Sequence, residues 1–348
     1  MVKEYLPIKF VNETLTLLDQ RKLPNEEVFV HCESLEHGHD AIRDMVVRGA
    51  PCIGFTAIYT MALWIKNHLS FSFSELEQAA IYLKGARPTA VNLNYEIDRV
   101  LKIIKVEKLN GNDAYQRIVE FGHLQIVNSE KKNRSMAIIA EKELDTLLGK
   151  NKYQILTHCN TGFLACGSIG TALGVVQNLG EKDKINNVWV DETRPYLQGS
   201  RLTAYELGKL NIDHKIVVEG AASYLMKKGM VDAIFTGADR IVANGDTANK
   251  VGTSNLAILA KHFGIPFYIV APSSSFDLSI PSGEGIEIEL RPEEEITKYK
   301  EHNIAPLSSK AYNPSFDIAD GSLITGIISE NGIAKGNYLQ TLPGIVTQ

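Results

Sequence analysis

Tyr153-Gln154-Ile155-Leu156-Thr157-His158-Cys159-Asn160-Thr161-Gly162 changes the texture of the chain. A short β-forming run, Gln154 to Thr157, gives way at once to polar, reactive side chains and a glycine, and the apolar segment Phe163 to Leu179 then reads as a helix. The same alternation recurs downstream, with strand-like runs at Asn187 to Val190, Lys215 to Val218, Ala233 to Thr236 and Phe267 to Ala271. Intervals of about thirty residues between such runs are those of βαβ units, so this half predicts a parallel sheet flanked by helices.

Upstream, the pattern lacks strand alternation. His39 to Val47, Ile53 to Ile65, Ser74 to Leu83, Val91 to Leu101, Ala114 to Ile126 and Ser129 to Leu147 read as helices, the third opened by a capping box of Ser74 and Glu77. The charged group Glu130, Lys131, Lys132 and Arg134 reads as a solvated helix face near a domain junction. An α/β protein of two domains is therefore expected: residues 1–128 mainly helical and 129–348 built on the sheet.

Composition fits that plan. The 348 residues are 44% hydrophobic and 22% charged, which suits a folded chain with a substantial core. A formal net charge of −5 argues against a nucleic-acid partner, which calls for a basic face, but leaves room for one small anionic ligand. Cys32, Cys52, Cys159 and Cys166 are too few for a disulfide framework in so long a chain, which predicts free thiols and a cytoplasmic setting. Met1 to Leu6 lack the apolar run of a signal peptide. The uncharged stretch Gly49 to Ile65 is short for a membrane span and is expected to be a buried helix.

In open parallel sheets, ligands collect at the carboxyl ends of the strands. Those ends carry His158-Cys159-Asn160, Asp191-Glu192-Thr193-Arg194, Glu219-Gly220, Gly237-Ala238-Asp239-Arg240 and Pro272-Ser273-Ser274. Cys159 reads either as a small buried hydrophobe or, placed before a helix N-terminus, as a thiol poised to ionise. Asp239 reads as a turn cap or a partner of Arg240, or as an acid whose pKa is raised by the apolar flanks Ile234, Phe235 and Ile241. His158, Cys159 and Cys166 lack paired ligand spacing, so no metal is expected.

Three cations stand in settings suited to phosphate. Asn244 to Lys250, followed by Gly252-Thr253 and a helix, combines a glycine-containing loop, a lysine and a helix N-terminus. Asn249 in place of glycine before Lys250 excludes a nucleotide P-loop. Arg48-Gly49-Ala50-Pro51 sets a guanidinium beside unobstructed backbone NH groups, and Arg87-Pro88-Thr89 opens the helix near Ala90. Either arginine alone also reads as a structural one.

These segments resemble the methylthioribose-1-phosphate isomerases, a family related to the regulatory subunits of the eukaryotic translation-initiation guanine-exchange factor. The likeness runs through Arg48 to Pro51, Arg87 to Leu93, Thr157 to Gly162, Asp191 to Pro195 with Gln198-Gly199, Gly237 to Arg240, Asn244 to Asp246 with Asn249-Lys250, and Tyr312 to Asp317. It implies a helical N-terminal domain followed by a Rossmann-like domain, an active site in the cleft between them, and a homodimer. It implies an aldose–ketose isomerase acting on a 5-substituted ribose 1-phosphate, with a small sugar phosphate as ligand and no nucleotide, metal, nucleic acid or membrane. Cys159 and Asp239 match the family's catalytic pair, and Arg48, Gly49, Ala50, Arg87, Gln198, Asn249 and Lys250 its substrate contacts.

The chemistry asks for those residue types. An anomeric phosphate prevents opening to a free aldehyde, so an acid, Asp239, must protonate the ring oxygen as its bond to C1 breaks. Cys159 then moves a proton from C2 to C1 through an enediol, or assists a direct hydride shift. One departure stands out: Asn94-Tyr95 replaces the aromatic pair typical of the family, which bears on whether the 5-substituent is methylthio or hydrogen. Isomerisation of ribose 1,5-bisphosphate and a non-enzymatic regulatory subunit are the alternative readings.

Overall fold

The computed structural model describes residues 6–87, 91–299 and 301–346. They form two units, Met1–Lys131 with Gly162–Gly170, and Lys132–Thr161 with Thr171–Gln348. Met1 to Tyr5 and the Pro88-Thr89-Ala90 opening lie outside the described residues.

The first unit is mainly helical but begins with an antiparallel sheet of β1 (Ile8–Val11), β2 (Thr14–Leu18) and β3 (Phe29–Cys32). Asn12 and Glu13 both take positive φ, 49° and 61°, the conformation of a two-residue hairpin turn that matches strand twist. Thr14-Leu15-Thr16-Leu17 alternates polar and apolar and was the local sign of this sheet. Five helices follow. Helix α1 (Leu35–Arg43) starts and stops four residues ahead of the expected His39 to Val47, because Ser34 caps it and Met45 turns to positive φ. In α2 (Ala50–Asn67) every residue from Cys52 to Ile65 is buried, which explains a run apolar all round. The capping box of α3 (Phe73–Lys84) is Ser72 with Glu75, not Ser74 with Glu77. Beyond α4 (Val91–Glu107), the two helices expected at Ala114 to Ile126 and Ser129 to Leu147 are one, α5 (Gly111–Leu148). No proline or glycine falls between them to break it, and the division between units lies inside it, after Lys131.

The second unit is an α/β structure around a seven-stranded sheet. Its early strands are β4 (Tyr153–Thr157), β5 (Ile185–Asp191), β6 (His214–Val217) and β7 (Ala233–Thr236). Across the sheet the order is Gly332–Ala334, Gly326–Ser329, Phe267–Val270, β7, β4, β5, β6. Every neighbouring pair is parallel except the C-terminal hairpin. The chain therefore steps outward from β4 to β6, then returns to β7 on the other side of β4. The topological switch point falls between β4 and β7, where a crevice for ligand forms in such sheets.

Successive residues of the central strands enter different cores, as a period of two demands. Leu156, Ile234, Phe267 and Ile269 join one cluster, and Ile155, Phe235, Tyr268 and Val270 the other. The connecting helices are α7 (Ala172–Glu181), α8 (Ala204–Lys209), α9 (Ala222–Lys227) and α10 (Thr253–Phe263), while the short α6 (Phe163–Cys166), which precedes α7, belongs to the first unit. The single helix expected from Phe163 to Leu179 is thus two, interrupted at Gly167, whose φ is 88°. Among the described residues no helix is long and apolar enough to cross a membrane.

Candidate active site

Cys159 follows β4 with φ 61°, in the left-handed region that costs a residue with a Cβ about 1–3 kcal/mol. Its neighbours hold it there. The Cys159 amide donates to Thr193 Oγ1 at 2.8 Å, and its carbonyl accepts from Thr203 Oγ1 at 2.6 Å. Thr193 Oγ1 donates onward to the Asp191 carbonyl at 3.0 Å. Asn160 is fixed in turn by Glu206 Oε1 at 2.8 Å. Cys159 is thus tied at two points to the connection that follows β5, with its backbone polar groups satisfied. Burial in the apolar core pushes the thiols of Cys32 and Cys52 up to about 11 and about 12. The expected helix behind Cys159 is only the single turn of α6, so its dipole adds little to ionising the thiol.

Asp239 follows β7 and opens a hairpin of β8 (Arg240–Val242) and β9 (Thr247–Lys250). Its amide donates to the Ala248 carbonyl at 2.9 Å, which sets it beside Asn249. Ile234, Phe235 and Ile241 are fully buried in the core, yet Asp239 itself is exposed. The apolar flanks therefore do not desolvate it as expected, because they lie in strands whose side chains enter the core while the carboxylate stands beyond the strand end.

The expected phosphate cradle is also built differently. Thr247 to Lys250 is strand, not loop. The first amides of α10 are already taken: Gly252 and Ser254 donate to the Asp317 carboxylate at 2.7 and 3.1 Å. Asp317 comes from the strand Phe316–Ala319, which pairs with β9 so that Phe316 faces Lys250 and Asp317 faces Asn249. Lys250 Nζ donates to the Ser315 carbonyl at 2.7 Å and lies 4.5 Å from the centre of the Phe316 ring. Buried Asn249 donates to Thr253 Oγ1 at 2.9 Å. A carboxylate occupies the helix N-terminus that the sequence offered to phosphate.

Gln198 precedes the turn Gly199–Thr203 and is buried, with Oε1 lacking a hydrogen-bond partner. An orphaned buried acceptor calls for a donor, and a sugar hydroxyl is one. The second unit thus brings Cys159, Gln198, Asp239, Asn249 and Lys250 to the carboxyl edge of its sheet. A cavity of about 280 Å³ opens on that edge, lined in part by Asp191, Glu219, Ser223, Gly252 and Asn255.

The other expected residues are in the first unit. Arg48 and Arg87 are half-buried, and Gly49 and Ala50 open α2. Gly49 has φ 87°, and a Cβ there would stand 2.6 Å from Ala165 Cα, so only glycine fits. No side chain caps α2 and no acidic residue lies in its first turn, which keeps this helix N-terminus favourable to an anion.

Thr203, Asp317 and the partners of His158 described below have roles that no local pattern assigns. Asp191 and Thr193 lie in the Asp191 to Pro195 motif and Asp317 ends the Tyr312 to Asp317 motif, whereas Thr203 carries no sequence signal at all. Among the described residues no group of three or more His, Cys, Asp or Glu side chains is arranged to hold a metal.

The similarity to known proteins spans nearly the whole chain. The initiation factor 2 subunit family matches residues 46–336. A methylthioribose-1-phosphate isomerase from a Sulfurihydrogenibium species is 46% identical over 334 residues, which is 96% of this chain and 94% of that protein. The crystal structure of 5-methylthioribose 1-phosphate isomerase from Pyrococcus horikoshii aligns with a TM-score of 0.91 at 36% identity, covering 98% of this chain and 95% of the other. That of translation initiation factor eIF-2B, subunit delta, from A. fulgidus aligns with a TM-score of 0.88 at 35% identity, covering 98% and 99%.

Proposed function

The chain belongs to the methylthioribose-1-phosphate isomerase family, within the initiation factor 2 subunit family, and from that premise we propose an aldose–ketose isomerase of 5-substituted ribose 1-phosphates. The substrate is 5-methylthioribose 1-phosphate or 5-deoxyribose 1-phosphate, the product the matching ribulose 1-phosphate, and the setting methionine salvage or 5-deoxyribose disposal in the cytoplasm. The observation that carries this reading is the placement of a thiol after β4 and a carboxylate after β7, on the two sides of the switch point. The second unit is read as Rossmann-like on its strand order.

Asp239 gives its proton to the ring oxygen as the bond from that oxygen to C1 breaks. Its exposure means that bound substrate, not the protein core, must supply the desolvation an acid needs near neutral pH. The Cys159 thiolate removes the C2 proton to form an enediol-like enol phosphate and returns it to C1, while the C2 hydroxyl gives its proton to the Asp239 carboxylate as it becomes the ketone, which restores both groups. Gln198 Oε1 accepts from a sugar hydroxyl, and Asn249 and Lys250 contact the substrate. Arg48, Gly49, Ala50 and Arg87 enter this assignment through the family resemblance, supported by the uncapped N-terminus of α2. No nucleotide or metal takes part. Substrate deuterated at C2 tests the step: label washing out into water excludes a direct hydride shift and supports proton transfer through the enediol.

The likeness to an eIF-2B subunit at 35% identity favours a second reading, a regulatory subunit that binds sugar phosphate without converting it. Turnover decides. Conversion of 5-methylthioribose 1-phosphate or 5-deoxyribose 1-phosphate is expected; binding without conversion would replace the isomerase by the regulatory subunit. Preferential conversion of ribose 1,5-bisphosphate would overturn the substrate assignment alone. Asn94, with Oδ1 buried and lacking a hydrogen-bond partner, and Tyr95, 53% exposed, mark where the 5-substituent preference is to be sought.

A further inference from the structure

We propose that His158 is a positioning residue for Cys159: a doubly protonated imidazolium, locked between Asp191 and the Val251 carbonyl, that ties the end of β4 to the turn after β9. The proposal rests on the assignment of Cys159 as the proton-transferring thiol. The ring of His158 is fully buried. Its Nε2 lies 2.9 Å from the Val251 carbonyl oxygen, which can only accept, so Nε2 carries a proton. Its Nδ1 lies 3.2 Å from Asp191 Oδ2 and 3.8 Å from Glu219 Oε1. A neutral ring protonated on Nε2 would turn its Nδ1 lone pair toward those oxygens, so a proton belongs between Nδ1 and Asp191; burial pushes the Asp191 carboxyl up, and the imidazole, favoured in its charged form by Asp191, Glu219 and Val251 together, is the group we assign it to.

The charged groups facing the ring all have one sign. Asp191 ends β5, Glu219 follows β6, and Asp317 interacts with the ring from the C-terminal strand that pairs with β9. The β9–α10 turn presents the Val251 carbonyl, and the neighbouring Lys250 ammonium is bonded to the Ser315 carbonyl. Burial by itself lowers the imidazole pKa, but the Asp191 hydrogen bond and charge, the Glu219 charge and the Val251 bond outweigh it, and the net shift is upward. Gly252 makes room for this arrangement. Its φ is 104°, and a Cβ there would stand 2.7 Å from His158 Cε1 and 2.9 Å from Glu219 Oε1.

The consequence for the site is mechanical and electrostatic. Holding the ring fixes the peptide that leads into Cys159, whose own amide and carbonyl are held by Thr193 and Thr203. Val251 directly follows Asn249-Lys250, so one ring sets the register between the thiol loop and the strand assigned to the substrate. The imidazolium also offsets buried negative charge that would otherwise oppose a sugar phosphate.

Three readouts test this in the full-length protein. Nitrogen NMR of the ¹⁵N-labelled imidazoles, with His158→Gln to assign the signal, is expected to show both His158 nitrogens protonated at neutral pH; a singly protonated ring overturns the proposal. His158→Gln, folded by circular dichroism, is expected to lower kcat by about 10²-fold with KM nearly unchanged, and to lose the alkaline limb that ring deprotonation produces in the wild type. An unchanged kcat and pH profile overturns it. The third readout needs no turnover, so it survives failure of the isomerase reading: methyl methanethiosulfonate modification of Cys159, followed by peptide mass, is expected to change severalfold in rate in His158→Gln, and equal rates overturn the proposal. If His158→Gln does not fold, Asp191→Asn keeps the shape and removes one carboxylate charge. It is expected to lower the pH at which His158 deprotonates, and no change overturns the proposal.

Discussion

Cys159 and Asp239 show how differently two strand-end residues can be prepared. Cys159 is 8% exposed and held in a strained conformation by two threonine hydroxyls, whereas Asp239 is exposed at the mouth of a hairpin. Neither owes its place to the core, so both tolerate isosteric change. Cys159→Ser and Asp239→Asn are each expected to reduce kcat by at least about 10²-fold, in the range that general acid–base catalysis contributes, while thermal melting stays within a few degrees of wild type. Near-normal rates in either variant would remove it from the assigned role. Lys250→Ala is expected to act on KM rather than kcat, since a phosphate contact is made equally in ground and transition states. Steady-state kinetics on the same preparation separates the two effects. The reactive residue types at these positions were legible in the sequence because strand ends are local features. The exposure of Asp239 was not, because it depends on which side of the strand end the chain leaves the core.

At the scale of elements, the parallel strands came out close to their expected limits and the first-unit hairpin did not. Ala233 to Phe235 is continuously apolar and, with Thr236, buried on both faces, a pattern that only a central strand or a buried helix produces. Thr14 to Leu18 is a short amphipathic strand whose signal was outweighed by the long helical runs beside it. Helix α5 shows the reverse, two expected helices joined because nothing in Val127-Asn128 stops a helix. Within the second unit, Glu141 on this helix binds Asn178 at 2.9 Å, Lys184 at 2.9 Å and Lys182, pinning it to α7 and the start of β5. Burial favours the neutral acid, but those hydrogen bonds prevail and hold the carboxyl down to about 2. A folded-state pKa below the unfolded value near 4.5 means stability that is present above that value and lost as pH falls through about 2. Glu141→Gln is expected to cost about 1–2 kcal/mol near neutral pH and much less near pH 2, as urea unfolding at the two pH values measures. An equal cost at both would remove the ionic contribution.

For the molecule as a whole, the two units make different demands. The first buries an apolar helix, α2, within its own helices and small sheet. The second leaves β6 as a sheet edge, with Ile216 and Val218 at 48% and 61% exposure and Tyr224 and Ile258 exposed on α9 and α10. An open edge bearing apolar side chains supports the proposed homodimer, since such edges are ordinarily covered or charged. Sedimentation equilibrium is expected to return a dimer that Val218→Lys with Ile258→Lys drives toward monomer. A wild-type monomer at micromolar concentration would rule the homodimer out. The ratio of kcat/KM for 5-methylthioribose 1-phosphate to that for 5-deoxyribose 1-phosphate is expected to stay within the factor of about 10–200 that burying a small apolar group supplies.

What the sequence by itself determined was the α/β plan, the parallel strands and the set of reactive side chains at their ends. Those follow from residues a few positions apart, where hydrophobic period and turn chemistry act. The tertiary structure alone decided what those side chains meet. His158 takes its partners 33 and 93 residues along the chain, and the N-terminus of α10 is filled by a carboxylate 65 residues away. Electrostatic state and hydrogen-bond satisfaction depend on distance in space, which local sequence does not encode. The same chain that advertised a phosphate cradle therefore folded into a carboxylate-capped helix beside a buried imidazolium.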